Sequence, residues 1–381
     1  MEEALRVLDA AGFDGEYVNG DIGWDFWCRE GNALPERTIR LLDTHRVGLF
    51  GAITSKPKEE AAAELSPDLQ GKGYVYASPI VAMRQLFNLD ICIRPCRTYQ
   101  GNPLNFIRRG PAGEIEEPFV DVVIFRQNTE GLYCGVEWSH PDGVVWDALN
   151  THPAFRKNFG QVPREEIAVS TRIFTKKATE RILRAAFEHA HKQGYKSVTL
   201  CEKPNVIRET SGMMYRMAKE IKKEYGSIAL WNTNIDAQMM WLTKNPEDYG
   251  VIVAGNMFGD IVSDGFAGLI GGLGFACSAN LGEKVAVFEP THGSAPKYAD
   301  YPVSIVNPIA MIESACMMLD HLDETKIAAR IRKAITAVIA EGKVRTYDMM
   351  KLKGSPEVLQ QGAASTREMG DEIVKKVTGD R

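Results

Sequence analysis

Apolar and polar residues recur along this chain in two rhythms, one of helical period and one of strands, and the two take turns from end to end. Glu2 to Ala11 carries apolar residues at helical spacing, and Gly12 can end that helix. Val47 to Ile53 reads as a buried strand, Ile80 to Asn88 as a helix and Leu89 to Arg94 as a strand. Val120 to Phe125 is almost continuously apolar, as expected of a strand covered on both faces. Lys176 to Gln193 is helical, Ser197 to Cys201 a strand, and Ser211 to Tyr225 a helix whose run Lys219 to Glu224 reads as a solvated face. Tyr249 to Ala254 is strand-like, a helix is expected from Gly259 onward, and Val285 to Phe288 is again a strand. Helices over Pro308 to Leu322, Glu324 to Glu341 and Ser365 to Val377 complete the pattern. Such alternation predicts an α/β protein.

The 381 residues are enough for two domains with substantial cores, and 44% hydrophobic content is ordinary for a globular chain. The net charge of −5 argues against general nucleic-acid binding. Seven cysteines are scattered without a Cys-x-x-Cys pair, which reads as small buried hydrophobes in a reducing compartment. No apolar run is long enough to cross a bilayer and no signal peptide is recognisable at the start, so a cytoplasmic location is expected.

Candidate chemistry concentrates in Asn256-Met257-Phe258-Gly259-Asp260-Ile261-Val262-Ser263-Asp264. On a helix, Asp260 and Asp264 stand one turn apart on one face. Carboxylates so placed repel each other, and Mg²⁺ or Mn²⁺ would turn the repulsion into coordination. An isolated Asp-x-x-x-Asp is more often a solvated helix face, but here a strand enters the turn, and open α/β sheets bind ligands at such strand ends. Arg84, Arg94, Arg97 and Arg126 could converge on a di- or tricarboxylate, since each guanidinium grips two oxygens. Gly268, Gly271, Gly272 and Gly274 lack the Gly-x-Gly-x-x-Gly spacing, so no Rossmann dinucleotide loop is predicted. Tyr133, Lys203 and His292 are the single residues suited to proton chemistry. On these residues alone, a phosphoester-processing metalloenzyme and a non-catalytic anion-binding protein stay open.

Several motifs in order narrow the choice. Arg94-Pro95-Cys96-Arg97, Arg126 through Tyr133, Lys203-Pro204-Asn205, Asn256 through Asp264 and His292-Gly293-Ser294-Ala295-Pro296 resemble those of the isocitrate and isopropylmalate dehydrogenases, metal-dependent β-decarboxylating enzymes. The resemblance covers nearly the whole chain. It implies a discontinuous large α/β domain from residues 1–89 and 271–381, holding the cofactor in a non-Rossmann manner. A smaller inserted α/β domain, 90–270, would serve substrate and dimerisation, with an intersubunit clasp near 137–164. Ser78, Arg84, Arg94 and Arg126 are then expected to hold the substrate, and Asp260 and Asp264 the metal, with Asp236 supplied by the second subunit of a homodimer. Tyr133 resembles the acid that protonates the enolate, and Lys203, also reaching across the dimer, part of the machinery that takes the hydroxyl proton. Thr54 and Asn205 are expected on the nicotinamide side of the cofactor, His292 and Asn307 on its adenosine side.

For the substrate, the turn Arg97-Thr98-Tyr99-Gln100-Gly101, Ser78 and the segment from Glu137 to Arg164 resemble isocitrate dehydrogenases. Ile80-Val81 resembles the apolar pocket of isopropylmalate enzymes, although their typical glutamate would be Ala77 here. Isocitrate is favoured, with isopropylmalate or homoisocitrate as the alternative. Lys297, Tyr298, Tyr347 and Lys351 resemble the set that grips the 2′-phosphate of NADP, where NAD-linked members carry an acidic residue at the Lys297 position; the loop from Ala299 to Val306 is longer than that pattern. The resemblance further implies a strand and a Gly-rich loop ahead of the helix at Glu2. The sequence shows neither, so a truncated or misassigned start, with unpaired groups on the large sheet and weakened stability or activity, is expected.

Overall fold

A mixed eight-stranded sheet organises the chain, which the computed structural model describes over residues 1–379. From one edge, its strands run Val47–Leu49, Ala286–Pro290, Cys277–Leu281, Ile91–Arg97, Asp121–Gln127, Val251–Ala254, Ser197–Glu202 and Ala229–Asn234. The last four are parallel, and two of them are the near-continuous apolar runs Val-Ile-Val-Ala and Asp-Val-Val-Ile-Phe, buried but for Asp121. Ile91–Arg97 joins this half antiparallel and pairs on its other side with Cys277–Leu281, Ile93 facing Ala279. The sheet thus passes unbroken from residues 277–290 into residues 91–127.

The helices follow the hydrophobic period closely. Lys176–Gln193 starts where Thr175 accepts the Ala178 amide at 3.3 Å and stops at left-handed Gly194, and its apolar stripe, Ile182, Leu183, Ala186, Phe187 and Ala190, is buried. It packs with Thr210–Lys222 on one face of the sheet. The other face is covered by Glu2–Ala10, Asn256–Leu269, Ile309–His321, Thr325–Glu341 and Thr366–Gly379, whose core residues merge with Val122, Ile124 and Ile252. The carboxylate helix begins at Asn256, three residues before its expected start. Gly259 lets it lie against Asp121–Gln127, because a Cβ there would fall 2.7 Å from the Cβ of Arg126. Gly271 and Gly272 form a left-handed turn after this helix.

Helices at Trp24–Glu30, Glu36–His45, Gly143–Thr151 and Pro153–Phe159, and strands at Ala229–Asn234 and Cys277–Leu281, are additions to the sequence pattern. All seven cysteines are unpaired thiols. Among the described residues no helix is long and apolar enough to cross a membrane.

Val47–Leu49 is an edge strand. Its bonds to Ala286–Pro290 engage Arg46 and Phe50, so by the alternation of a parallel ladder the amides and carbonyls of Val47 and Leu49 face away from the sheet. Beside them runs a groove of about 500 Å³, flanked by Gly15 to Gly20 on one side and Val47 to Gly51 on the other and floored by Leu5, Leu41, Leu42 and Met318.

His189 lies against the rings of Phe125, 5.2 Å away, and Tyr195, 5.9 Å away. Burial disfavours its cation and lowers its pKa, outweighing the opposite pull of Asp121. The unfolded imidazole protonates near ~6.5 and the folded one only at lower pH, so the stabilisation is complete above that value and is lost as pH falls below it. His189→Phe is expected to shrink the drop in Tm between pH 7.5 and 5.5; an unchanged drop would assign the acid sensitivity elsewhere.

Candidate active site

Two strands, a helix and a turn deliver side chains to one place. Arg94 comes from the Ile91–Arg97 strand, Arg126 from its neighbour Asp121–Gln127, Asp260 and Asp264 from the helix that follows Val251–Ala254, and Tyr133 from the short turn Leu132–Cys134. Arg94 Nη1 donates to Asp260 Oδ1 at 3.1 Å, Ser263 Oγ at 2.7 Å and Asp264 Oδ1 at 3.3 Å. Arg126 donates from Nε and Nη2 to the Asn256 side-chain oxygen at 3.0 and 2.8 Å, and from Nη1 to Asp260. Asn256 is fixed in turn by donating to the Glu130 carbonyl at 3.0 Å.

Charge here is crowded and poorly hydrated. Burial and then the like charge of Arg94 push the Arg126 guanidinium down to about 10. Asp264 is raised, first by desolvation, with Asp260 adding repulsion against the opposing pull of Arg94. The Tyr133 hydroxyl is raised by burial and then by the negative charge of Asp260, so it stays protonated at neutral pH. The Tyr133 ring also lies 5.8 Å from the Arg126 guanidinium.

Arg94 joins this cluster to a cleft of about 420 Å³, which is also lined by Thr54, Lys56, Ser78, Ile80, Arg84 and the loop from Glu289 through Pro296. Ser78 heads the helix Pro79–Leu86, and its hydroxyl is not spent on capping it. Ile80 lines the cleft while packing into a core with Phe50, Met83 and Leu89, whereas Val81 is exposed. Arg84 is held by Asn280 at 3.1 Å and by an ion pair with Glu289 at 3.0 Å, and Asn280 also donates to Glu289 at 2.9 Å. Arg94 Nε is buried without a partner, a donor that an incoming carboxylate would satisfy. Thr54 and Ser294 share a hydroxyl hydrogen bond of 2.6 Å, and His292 sits beside them with Nδ1 2.9 Å from the Gly293 carbonyl.

Further along, Lys297 lies 4.8 Å over the Tyr298 ring, and Tyr298 meets Tyr347 edge-on at 5.7 Å. The neighbouring Tyr347 hydroxyl lowers that of Tyr298, while burial raises that of Tyr347. Lys351 closes the turn after Tyr347, in the left-handed region at φ 58°. Asn307 donates to Asp348 at 3.0 Å on the same side.

Three expected members stand apart. Lys203 pairs with Asp236 at 2.5 Å, and neither joins the Asp260–Asp264 cluster; among the described residues no group of three acidic, histidine or cysteine side chains is assembled for a metal. Asn205 is exposed in the turn beyond Lys203 and does not line the cleft. The acidic pair still suits a hard cation, since its two like charges repel each other. Sequence reasoning missed Glu289 and Asn280, and named Asn256 only as the start of a run, without its role in holding Arg126. Their signal, buried polar residues inside apolar strands or at a helix start, is intelligible only once their arginine partners are placed.

This combination of fold and site defines a class. The chain belongs to the isocitrate/isopropylmalate dehydrogenase family, whose model matches residues 1–373, and is therefore an oxidoreductase of that family. It is 37% identical over 358 residues to Protein DlpA of Legionella pneumophila, covering 93% of this chain and 53% of that protein, so it spans about half the length of that relative. It is 36% identical to the 3-isopropylmalate dehydrogenase of Methanothermobacter thermautotrophicus, covering 94% and 92% of the two chains. The isocitrate dehydrogenase of Methylococcus capsulatus superimposes with a TM-score of 0.80 at 32% identity, over 99% of this chain and 95% of the other.

Proposed function

We propose that the protein oxidatively decarboxylates isocitrate to 2-oxoglutarate while reducing NADP, as a cytoplasmic homodimer with shared active sites. The observation that carries this reading is the junction at Arg94: one buried arginine reaches a carboxylate pair fit for a cation and lines a cleft that holds Arg84 and Ser78. Arg84, Arg94 and Arg126 bind the substrate's carboxylates, and Ser78 accommodates a third. A divalent cation on Asp260 and Asp264, Mg²⁺ or Mn²⁺, would polarise the substrate oxygens as a Lewis acid. The hydroxyl proton passes toward Lys203, and Tyr133, held protonated beside Asp260, supplies the proton that completes turnover. Lys203 and Asp236 sit together but away from Asp260, as they would if both served the partner's site. Exposed Trp231, Met240, Trp241 and Ile261 supply apolar surface for such a contact, and the antiparallel pair Glu137–Trp138 and Val169–Ser170 brackets the proposed clasp.

In domain terms, residues 1–89 and 271–381 form the cofactor lobe and 90–270 the substrate and dimer lobe. Thr54, His292 and Asn307 would hold the dinucleotide, with Asn205 reaching it only if supplied, like the neighbouring Lys203, by the partner chain, and Lys297, Tyr298, Tyr347 and Lys351 would hold its 2′-phosphate. The alternative substrate is 3-isopropylmalate or homoisocitrate, and Ile80 in the cleft wall favours the first of these.

The test is nicotinamide reduction with Mg²⁺, isocitrate against isopropylmalate and homoisocitrate, NADP against NAD. Faster turnover with isocitrate and NADP is expected, abolished by chelation. Lys297→Asp should cut the NADP preference by about tenfold or more, the worth of one charge-assisted bond. Turnover of isopropylmalate alone would transfer the assignment to the alternative, and no turnover of any of the three would reject it.

A further inference from the structure

Glu202 is completely buried at the end of the Ser197–Glu202 strand, beside Lys203 in sequence. A buried carboxylate persists only when it is paired and hydrogen-bonded on all sides, and this one is. Arg172 Nη2 donates to its two oxygens at 3.0 and 2.8 Å, Ser211 Oγ donates at 2.5 Å, and the Gly255 amide donates at 2.8 Å. Arg172 is held in turn by Thr210 at 3.1 Å and Ser211 at 2.9 Å, and lies over the rings of Phe174 and Phe258 at 4.5 and 5.0 Å.

The partners of Glu202 lead in two directions. Gly255 caps the helix that carries Asn256, Asp260 and Asp264. Ser211 accepts the Lys203 amide at 3.4 Å, and Lys203 holds Asp236. A Cβ at Gly255 would lie 2.6 Å from Glu202 Oε1, so the helix start and the carboxylate are in close approach.

We infer that Glu202, clamped by Arg172 and Ser211, is a positioning residue that sets the start of the Asn256–Leu269 helix against the Lys203–Asp236 arm. The inference rests on the roles proposed above for Lys203 and Asp260. Glu202 touches neither substrate nor cation; it acts through Gly255 and Ser211. If sites are shared, the helix belongs to one active site and the Lys203 arm to the other, so this buried pair ties both to a single rigid point in each chain.

The experiment compares wild type, Ser211→Ala and the paired replacement Glu202→Met with Arg172→Met, which removes both charges together and leaves neither unpaired. For each, kcat, substrate KM, the half-saturating Mn²⁺ concentration, direct Mn²⁺ titration and Tm are measured. The expected result is a kcat lowered by about tenfold or more, because a displacement on the order of 1 Å can cost ~10²-fold, with substrate KM changed by less than about threefold. Mn²⁺ binding should weaken alongside kcat. Ser211→Ala carries the test if the paired variant does not fold. Wild-type kcat and Mn²⁺ affinity in the variants would overturn the inference, as would a loss of activity that merely tracks the fraction unfolded. A wild type inactive on all three substrates would instead defeat the functional reading, and this inference with it.

Discussion

Mixing two inactive variants, Lys203→Met and Asp260→Asn, is expected to restore about a quarter of wild-type turnover, the yield of random pairing in a two-fold dimer. Alone, each should lose on the order of 10²–10⁴ in kcat, the range of a removed proton-transfer group or of a removed cation ligand. The ground is the separation seen in one chain: Lys203 and Asp236 pair at 2.5 Å, while Asp260 is engaged by Arg94 and Arg126. In a hybrid dimer, one site combines the intact Asp260 of the first chain with the intact Lys203 of the second. The other site carries both lesions. Half of all dimers are hybrids and half of their sites work. Co-expression with two affinity tags isolates the hybrid, and the doubly tagged species should show about half of wild-type turnover, one working site of its two. A doubly tagged dimer as dead as its parents would show that each chain carries its own complete site.

Arg94→Met is expected to damage binding and stability together. Loss of charge-assisted bonds worth ~1.5–3 kcal/mol should raise substrate KM by roughly tenfold to a hundredfold. Asp260 and Asp264 would keep only Arg126 as a counter-charge. Breaking a buried pair costs ~3–5 kcal/mol, but these carboxylate side chains are 33% and 58% exposed, so about 2 kcal/mol is the better expectation. Urea unfolding measures it. Mn²⁺ should then raise the Tm of the variant more than that of the wild type, because a cation replaces the missing arginine. Equal Mn²⁺ responses in the two proteins would mean that this carboxylate pair is not a cation site.

What could be read from the sequence depended on how local its cause was. The helix Lys176–Gln193 is legible to the residue because a threonine cap, a regular apolar stripe and a terminal glycine all lie within it. The carboxylate helix was read late because polar Asn256 and apolar Met257 and Phe258 break the pattern at its start. Ala229–Asn234 escaped because none of its residues is buried and its second half, Asn232 to Asn234, is polar, and Cys277–Leu281 because Ser278 and Asn280 interrupt it. The site divides in the same way. Asp260 and Asp264 announce themselves by spacing, whereas the hold of Asn280 and Glu289 on Arg84 spans 196 and 205 residues and has no local signature. The family motifs named Lys203 and Asp236, but their pairing with each other is a product of the parallel register between Ser197–Glu202 and Ala229–Asn234.

The uncovered edge at Val47–Leu49 bears on how the protein behaves in concentrated solution. An edge with free amides and carbonyls, lying beside an apolar groove, is a template on which any extended apolar chain can grow by one strand. Left open, it favours slow, concentration-dependent aggregation over clean dispersal, and it would do so without any loss of the native fold. A soluble, long-lived preparation therefore implies that something covers this edge, and solubility becomes a report on the sheet.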